Sequence, residues 1–372
     1  MELGKKKVRV AMVASNLEKN GISTVIMNYC THLDLDLYDI TIIVGKKVDA
    51  YFLEICHNLK ITIVELPYRK TEPKKYYLKF NSYLSKNKFD IVHVHGSNSS
   101  IGLELLIAKL HRIPVRIAHC HNSFGSSVKI HKLMKPVLNW SYTNAFACGQ
   151  LAGEWMFGNR PFTIIRNGFD VAKFAFDVNF RTKWRKKLNL ESKLVLGHVG
   201  WFNFQKNQKF LLKLLKQTLP SIPNAHLLLV GGGQNLSNIK QTASDLGLES
   251  RVTFLGEIDV PEEIYSAMDC FVFPSRFEGL PIAMLEAQIS GLPCIMSTNV
   301  TQEVVIGSTV KCLSLDAPLG SWTKAITKLS EDARTSFVSV NARSITKYQI
   351  ENCVQELNEE YIAILKKKVK VK

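Results

Sequence analysis

The sequence predicts an α/β protein in which two Rossmann-like, doubly wound parallel-sheet domains face each other across a cleft. Short apolar runs of strand length alternate with helical stretches along the chain. This alternation pauses near residues 164–170 and then begins again. The 372 residues are enough for two domains of ordinary size.

The first domain is predicted over residues 1–172. Apolar strands that alternate with helices indicate a parallel sheet covered on both faces. The predicted strands are KVRVAMVA (7–14), ITIIVG (40–45), ITIVEL (61–66), FDIVHVHG (89–96), VRIAHCHN (115–122) and AFACG (145–149). The predicted helices are the amphipathic run ISTVIMNYCTHL after Gly21 and the stretches near 76–85, 101–111 and 131–142.

The second domain is predicted over residues 173–345 and repeats the same alternation. Its predicted strands are LVLGHVGWF (194–202), HLLLVGGG (226–233), VTFLGEI (252–258), CFVFPS (270–275) and PCIMS (293–297). Its predicted helices lie near 207–218, 235–246, 261–268 and 281–291. Residues 346–372 are predicted to form a helix that crosses back to the first domain, followed by a basic tail.

The composition indicates a soluble globular protein, because hydrophobic residues make up 46% and charged residues 22%. No apolar run reaches the ~18 residues that a membrane-spanning helix needs. The basic cluster at the start is followed by only about six apolar residues, which does not match a signal peptide. We therefore expect a cytoplasmic protein. The eight cysteines are scattered without a CxxC pair, so we expect reduced thiols in the core.

The net charge of +16 is concentrated in the first domain. Residues 1–170 carry 23 basic and 13 acidic residues, hence +10, and the remainder carries +6. The chain lacks the aromatic–basic interleaving and the modules of nucleic-acid binders, so we expect no nucleic acid as partner. Two interpretations stay open: a solvated surface with a basic tail at 366–372, or peripheral contact with the anionic inner face of the cell membrane.

The most informative segment is PSRFEGLPIAMLEAQISGLPCIMS (274–297). Glu278 lies in the loop after a predicted strand, Pro281 is suited to the first position of the next helix, and Glu286 lies one to two turns along it. Eight helical residues span about 12 Å. Two carboxylates so spaced are suited to bind hydroxyls at opposite ends of an elongated ligand, with the helix N-terminus between them for a phosphate. The alternative is a surface glutamate and a capping glutamate.

This E-x7-E pattern, as FEGLPIAMLEAQISGLPCI, resembles the retaining GT-B glycosyltransferases of family 4. The resemblance extends over nearly the whole chain, and the combination is most similar to bacterial capsular and exopolysaccharide glycosyltransferases. The further segments that carry it are EKNGIST (18–24), FDIVHVHGS, RIAHCHNS, IIRNGFD, GHVGWFNFQKNQKFLL (197–212), HLLLVGGGQ and RVTFLGEI.

The resemblance implies a role for each matching residue. Glu278 would bind hydroxyls of the donor sugar with the Gly279 and Leu280 amides, Glu286 would bind the ribose, and Lys206 would neutralise the diphosphate. His121 would face the donor sugar or the reacting centre. The implied catalytic set is Glu278, His121 and Lys206, and the implied donor-binding set is Gly21, Lys206, Glu278, Gly279, Leu280, Glu286, Trp201 and Ile258.

The histidines of the first domain form two i, i+2 pairs, His93/His95 and His119/His121, and each pair points to one face of its strand. Four such rings allow a metal site as an alternative. The resemblance implies no metal, because lysine, amides and helix dipoles stabilise the leaving diphosphate in these enzymes. We therefore expect neither a metal nor another cofactor besides the nucleotide sugar. For His93 and His95, core packing beside Asp90 stays open.

The chain departs from the family at Trp201. The family usually has an arginine there, beside the diphosphate, and one lost donor to a developing charge costs about 2.7–4 kcal/mol. Arg276 or Arg166 would substitute for it, or the enzyme is slow, or the chain is a catalytically weak or inactive partner of another transferase.

The expected reaction is retaining, hexosyltransferase-type transfer from a nucleotide donor, with UDP the commonest in similar enzymes, to a glycan or a polyprenyl-diphosphate-linked glycan. The expected setting is cell-surface polysaccharide synthesis. A GT-B epimerase and a scaffold protein are the rival functions.

Overall fold

The computed structural model describes residues 7–18, 21–46, 48–124, 127–258, 260–307, 309–331 and 345–369. The chain divides into two compact units. The first unit comprises Met1–Phe169 together with Lys347–Lys372, and the second comprises Asp170–Thr346. The predicted limits at 172 and 345 fall within a few residues of these divisions.

The first unit contains a sheet of seven parallel strands in the order β3-β2-β1-β4-β5-β6-β7. Its first six positions have the Rossmann order, in which the chain starts in the middle of the sheet and moves outward in both directions. The strands are β1 (Val8–Ala14), β2 (Tyr38–Val44), β3 (Thr62–Glu65), β4 (Ile91–Gly96), β5 (Val115–Cys120), β6 (Asn144–Ala147) and β7 (Thr163–Ile164).

Six helices connect these strands. The helices are α1 (Gly21–His32), α2 (Ala50–Asn58), α3 (Pro73–Lys86), α4 (Gly102–Leu110), α5 (Val128–Ser141) and α6 (Gln150–Phe157). Sequence analysis did not predict α2 or α6. Both are needed because neighbouring parallel strands cannot be joined by a tight turn.

The second unit contains six parallel strands in the order β10-β9-β8-β11-β12-β13, which is again the Rossmann order. The strands are β8 (Leu194–Val199), β9 (Ala225–Val230), β10 (Val252–Gly256), β11 (Cys270–Phe273), β12 (Cys294–Ser297) and β13 (Val310–Leu313). Each unit by itself confirms the predicted Rossmann-like, doubly wound parallel sheet.

Among the residues that the structure describes, the helices of the second unit are α7 (Val178–Lys187), α8 (Gln208–Thr218), α9 (Leu236–Asp245), α10 (Pro261–Ile264), α11 (Ile282–Ile289) and α12 (Leu319–Glu331). The prediction that Pro281 is the first helical residue of α11 was wrong by one position. Pro281 is the N-cap, with an extended ψ of 108°, and the helix begins at Ile282.

The last helix, α13 (Ile350–Val369), belongs to the first unit and packs against α1. The Tyr38 hydroxyl donates to Asn358 Oδ1 at 2.6 Å, which ties α13 to β2. Residues 370–372 of the predicted basic tail lie outside the described residues. Among the described helices, none combines the length and apolar character needed to cross a bilayer.

The interior of each unit lies between its sheet and its helices. All eight cysteines lie in the described part of the chain, seven of them are buried, and no disulfide joins them. In both sheets the strand order reverses beside the first strand, between β1 and β4 and between β8 and β11. Ligands of doubly wound sheets bind at the carboxyl ends of the strands at such a reversal.

Candidate active site

Two loops follow the strands at the reversal of the second sheet. One joins β8 to α8 and covers residues 200–207, and the other joins β11 to α11 and covers residues 274–281. Because β8 and β11 are paired neighbours, with Leu196 opposite Cys270, their carboxyl ends lie side by side. The two loops carry five of the residues that the resemblance implies: Trp201, Lys206, Glu278, Gly279 and Leu280.

Lys206 and Glu278 form a buried ion pair across these loops. The Lys206 ammonium lies 2.8 Å from Glu278 Oε1, and the two side chains are 15% and 7% exposed. Gln205 Nε2 donates to Glu278 Oε2 at 2.8 Å. The ammonium also lies 4.5 Å from the centre of the Phe273 ring, whose face favours a cation. The pair therefore fixes the Lys206 ammonium in a partly dehydrated position, where Glu278 balances its charge.

Asn207 fastens the two loops together. Its backbone is left-handed, with a φ of 58°, a conformation that asparagine tolerates better than most residues. Its side-chain Nδ2 donates to the Pro274 carbonyl at 3.2 Å. The Arg276 amide donates to the Gln205 carbonyl at 2.8 Å, as a second link between the loops.

A glycine run after β9 holds the β8–α8 loop from its other side. The Phe202 amide donates to the Gly232 carbonyl at 2.7 Å. Gly231 and Gly233 have φ values of 128° and 137°, and an added Cβ would lie 2.4 Å from Gly200 O and 2.5 Å from Phe202 N, respectively. Only glycine fits such a close approach of backbones. Sequence analysis matched GGG to the family but assigned these glycines no role.

Arg276 lies in the same pair of loops as Lys206. Its Nη2 donates to Asn207 Oδ1 at 3.1 Å, and its guanidinium stacks 4.5 Å from the centre of the Phe204 ring. Arg166, the other candidate for the missing charge, belongs to the first unit and pairs with Glu356 at 3.5 Å. Trp201 is 38% exposed and offers no charge. Within the second unit, Arg276 is therefore the arginine that lies in the same pair of loops as Lys206.

Glu286 lies on α11 and accepts a 2.5 Å hydrogen bond from the Tyr265 hydroxyl. Burial raises the pKa of the Glu286 carboxyl to about 7, and the nearby Glu262 charge also raises it. The hydrogen bond from Tyr265 and the Lys206 charge oppose this rise in part. The carboxyl thus titrates near neutral pH, where it is suited to bind a hydroxyl as acceptor or donor. Sequence analysis did not predict Tyr265 as its partner.

Ile258 follows β10, and the Gly231 amide donates to the Gly256 carbonyl at 2.8 Å. The end of β10 is thereby joined to the glycine run that holds the loop of Lys206. Of the implied donor-binding residues, the second unit contains all except Gly21.

The first unit contains the two remaining residues that the resemblance implies, Gly21 of the donor-binding set and His121 of the catalytic set. Gly21 is the first residue of α1, and an added Cβ would meet nothing within 4 Å. Nothing in the described contacts therefore requires glycine at this position. Residues 19 and 20 of the segment EKNGIST (18–24), which contains Gly21, lie outside the described residues.

The four histidines of β4, β5 and the residue after β5 form two hydrogen-bonded layers. In one layer Tyr361 OH lies 2.6 Å from His93 Nδ1, and His93 Nε2 lies 3.1 Å from His119 Nδ1. In the other, His95 Nδ1 lies 2.9 Å from His121 Nε2. The layers stack, with ring centres 4.1 Å apart for His93/His95 and 4.2 Å for His119/His121.

This stacked histidine array fits hydrogen bonding better than a metal. His93, His95 and His119 each bring a ring nitrogen within 4.8 Å of the others. A ring nitrogen binds a metal in the plane of its ring, however, and the His95 ring is stacked on the His93 ring with 24° between their planes. Their lone pairs therefore do not converge on one point, as a tetrahedral zinc site requires.

Burial lowers the pKa of all four rings well below the ordinary histidine value, and neighbouring rings lower those of His93, His95 and His119 further. The pKa of His121 falls to about 4, although the Asn167 side chain raises it in part. His121 is therefore a neutral ring at pH 7, able to donate or accept one hydrogen bond at each nitrogen according to its tautomer.

Two family models match the chain. The model of "Glycosyl transferases group 1" matches residues 180–344, and that of "Glycosyltransferase Family 4" matches residues 19–173. Both matches fall largely within one unit each.

Curated relatives match over most of the chain. A UDP-Gal:α-D-GlcNAc-diphosphoundecaprenol α-1,3-galactosyltransferase of Escherichia coli is 26% identical over 96% of this chain and 97% of its own. The capsular polysaccharide biosynthesis glycosyltransferase CapH of Staphylococcus aureus is 25% identical over 83% and 87%. Among solved structures, Anabaena HepE in complex with UDP-glucose has a TM-score of 0.79 over 95% of this chain and 99% of its own, at 17% identity.

Proposed function

The chain belongs to glycosyltransferase family 4 and has the GT-B fold, and from this premise we propose that it moves a hexose from a UDP-sugar to a lipid-linked glycan acceptor. The observation that carries the proposal is the Lys206–Glu278 pair at the carboxyl ends of β8 and β11. One member is suited to a diphosphate and the other to sugar hydroxyls, and both lie where doubly wound sheets bind nucleotides.

The donor assignment has support from chemistry and from similarity. Lys206 and Arg276 bring two cations to adjoining loops, where they would stabilise the charge that develops on a leaving diphosphate. Glu286 would bind the ribose. The Escherichia coli relative is named for a UDP-sugar donor and a diphosphoundecaprenol-linked acceptor, and CapH for capsular polysaccharide, which supports UDP and a cell-surface polysaccharide.

The proposed transfer retains the configuration at the anomeric carbon. The bond from this carbon to the diphosphate oxygen breaks while the acceptor oxygen approaches from the same face. The acceptor proton passes to the departing phosphate oxygen, so no protein base is consumed. Lys206 and Arg276 would stabilise the departing charge, and neutral His121 would hydrogen-bond the sugar. The protein would work without a bound metal, since these cations serve the diphosphate.

The first test is thermal stabilisation by UDP-, GDP-, ADP- and dTDP-sugars, with Glu286→Ala as control. A ligand at about 100 times its Kd adds about 2.7 kcal/mol to the free energy of unfolding. Stabilisation of the wild type by UDP-sugars alone supports the donor. A different nucleotide class overturns UDP, and anomeric inversion in the product by NMR overturns retention.

Trp201 motivates one alternative, a catalytically weak or inactive partner protein. Slow donor hydrolysis by the wild type, abolished in Glu278→Ala, excludes the inactive form. A donor that binds and is neither hydrolysed nor transferred supports it.

A further inference from the structure

Helices α3, α4 and α5 pack side by side in the first unit, α3 against α4 and α4 against α5. Their outer sides form one surface, here called the α3–α5 face. Among the described residues, six large hydrophobic side chains are more than 60% exposed, and four of them lie on this face. These four are Leu78, Leu110, Leu133 and Trp140.

Helix α5 shows how the exposed apolar side chains are arranged. Its buried side carries His131 and Leu138. A second stripe, at positions i, i+3, i+7 and i+10, faces away from the core and consists of Ile130, Leu133, Val137 and Trp140. The lysines of the helix occupy the third side, so the apolar stripe lies beside a basic one. A surface helix typically turns its apolar stripe toward the core and its polar residues toward solvent.

The surrounding chain is strongly basic. Residues 69–135 contain 13 lysines and arginines and only three acidic residues, hence +10. Two of the three acids are neutralised locally: Glu104 is buried against Arg69, and Glu72 pairs with Lys75. From residue 105 to residue 153 there is no aspartate or glutamate.

Lys109 and Trp140 bring the apolar and the basic character of the α3–α5 face into direct contact. The Lys109 ammonium lies 3.3 Å from the centre of the Trp140 ring and donates to the Trp140 carbonyl at 2.8 Å. An amphipathic ring beside a cation on an apolar stem is suited to the boundary between water and lipid.

We propose that the α3–α5 face docks on an anionic lipid surface, with the leucines and Trp140 entering the headgroup region and the lysines contacting lipid phosphates. This docking extends the proposed function and rests on it for the lipid-linked acceptor. The apolar and basic character of the α3–α5 face does not depend on that function. Soluble polyanions would use the lysines but gain nothing from exposed leucines, so the apolar stripe favours lipid.

The test is flotation of the full chain with vesicles of phosphatidylcholine alone or of an equal mixture with phosphatidylglycerol. The first variant is Lys129→Gln/Lys132→Gln/Lys135→Gln. Its matched control changes three lysines of one exposed helix side in the second unit, Lys209→Gln/Lys213→Gln/Lys216→Gln. The apolar variant is Leu133→Ser, with Val178→Ser as its control.

The wild type is expected to float with the anionic vesicles only. The α5 triple variant should bind them roughly 100-fold more weakly, since each basic residue near the surface contributes about fivefold. Leu133→Ser should weaken binding about tenfold. Both controls should bind like the wild type apart from a small uniform loss.

Absence of wild-type flotation, or equal losses in the two triple variants, would overturn the proposal. So would full competition by heparin together with no effect of Leu133→Ser, which would indicate a soluble polyanion. Thermal stabilisation by UDP-sugars is measured on the same variants. If a variant of the α3–α5 face no longer floats but is still stabilised by UDP-sugars, the face acts in docking and not in donor binding. If UDP-sugars do not stabilise even the wild type, only the donor assignment fails.

Discussion

Lys206 and Glu278 satisfy each other's charge at 2.8 Å, although they come from loops about 70 residues apart in the sequence. Each is assigned a different part of the donor. In the proposed complex the diphosphate would take over part of the contact of Lys206, and the sugar hydroxyls part of the contact of Glu278.

Lys206→Met is expected to destabilise the fold by about 3 kcal/mol, because it leaves the Glu278 carboxylate buried without its cation. The double variant Lys206→Met/Glu278→Gln should recover most of that loss and still fail to bind the donor. Urea unfolding and nucleotide titration of the four proteins in the cycle measure both effects. Equal stability of the single and double variants would contradict the coupling.

Arg276→Ala is expected to lower the transfer rate by about 10²-fold, the usual effect of removing one donor to a developing negative charge. Trp201→Arg in that background should restore part of the rate, because it returns a cation to the position where the family usually has one. Release of UDP measures the rate. Arg166→Ala serves as the control, and a larger effect there than at Arg276 would reverse the assignment.

Glu286→Gln is expected to stabilise the protein above pH 7 by up to about 3 kcal/mol. Because burial raises the pKa of this carboxyl from 4.5 to about 7, its contribution to stability is complete below pH 4.5 and is lost as the pH rises through 7. Glutamine keeps an acceptor for Tyr265 without a charge. Melting temperatures at pH 5 and pH 8 measure the effect.

The same substitution should weaken donor binding at pH 8, where the wild-type carboxylate accepts hydroxyls most strongly. A variant that is both more stable and tighter for the donor would be inconsistent with a ribose contact at Glu286.

The stacked histidine array should make the first unit sensitive to acid. The pKa of each of its four rings is lowered in the fold, so the unfolded chain binds more protons below about pH 6.5 and stability falls as the pH falls toward 4. Each ring contributes a slope of up to about 1.4 kcal/mol per pH unit. Denaturant unfolding at pH 7.5, 6 and 5 measures the slope.

His119→Asn should reduce this slope, whereas His57→Gln, on the exposed side of α2, should leave it unchanged. Identical slopes in all three proteins would exclude the array as the cause.

The strand alternation predicted both sheets well, because buried parallel strands are apolar along their whole length. Helix α7 was missed for a physical reason. Its sequence, VNFRTKWRKK, is mostly polar, and part of its burial comes from Arg185, which binds Asp269 at 3.0 Å. A helix held by a distant ion pair leaves little hydrophobic periodicity. The two-residue β7 is too brief to show any, and β13, with the sequence VKCL, contains an exposed lysine and has no fully buried residue.

At the site, sequence patterns selected Lys206, Glu278 and Glu286, which the structure places on or next to the loops of one sheet edge. Their direct partners were not predictable. The contact of Gln205 with Glu278, and that of Tyr265 with Glu286, depend on which strands are neighbours. Likewise, the pairing of His93 with Tyr361 joins residues 268 positions apart.

The hydrogen bond between the β8–α8 loop and the glycine run after β9 has a kinetic consequence. With the Phe202 amide already bonded to Gly232, the loop that presents Lys206 is formed before a nucleotide arrives. Association should then proceed at the rate of ordinary diffusional encounter, without a slow ordering step that saturates at high ligand concentration. Donors that differ in affinity should differ mainly in how long they stay bound.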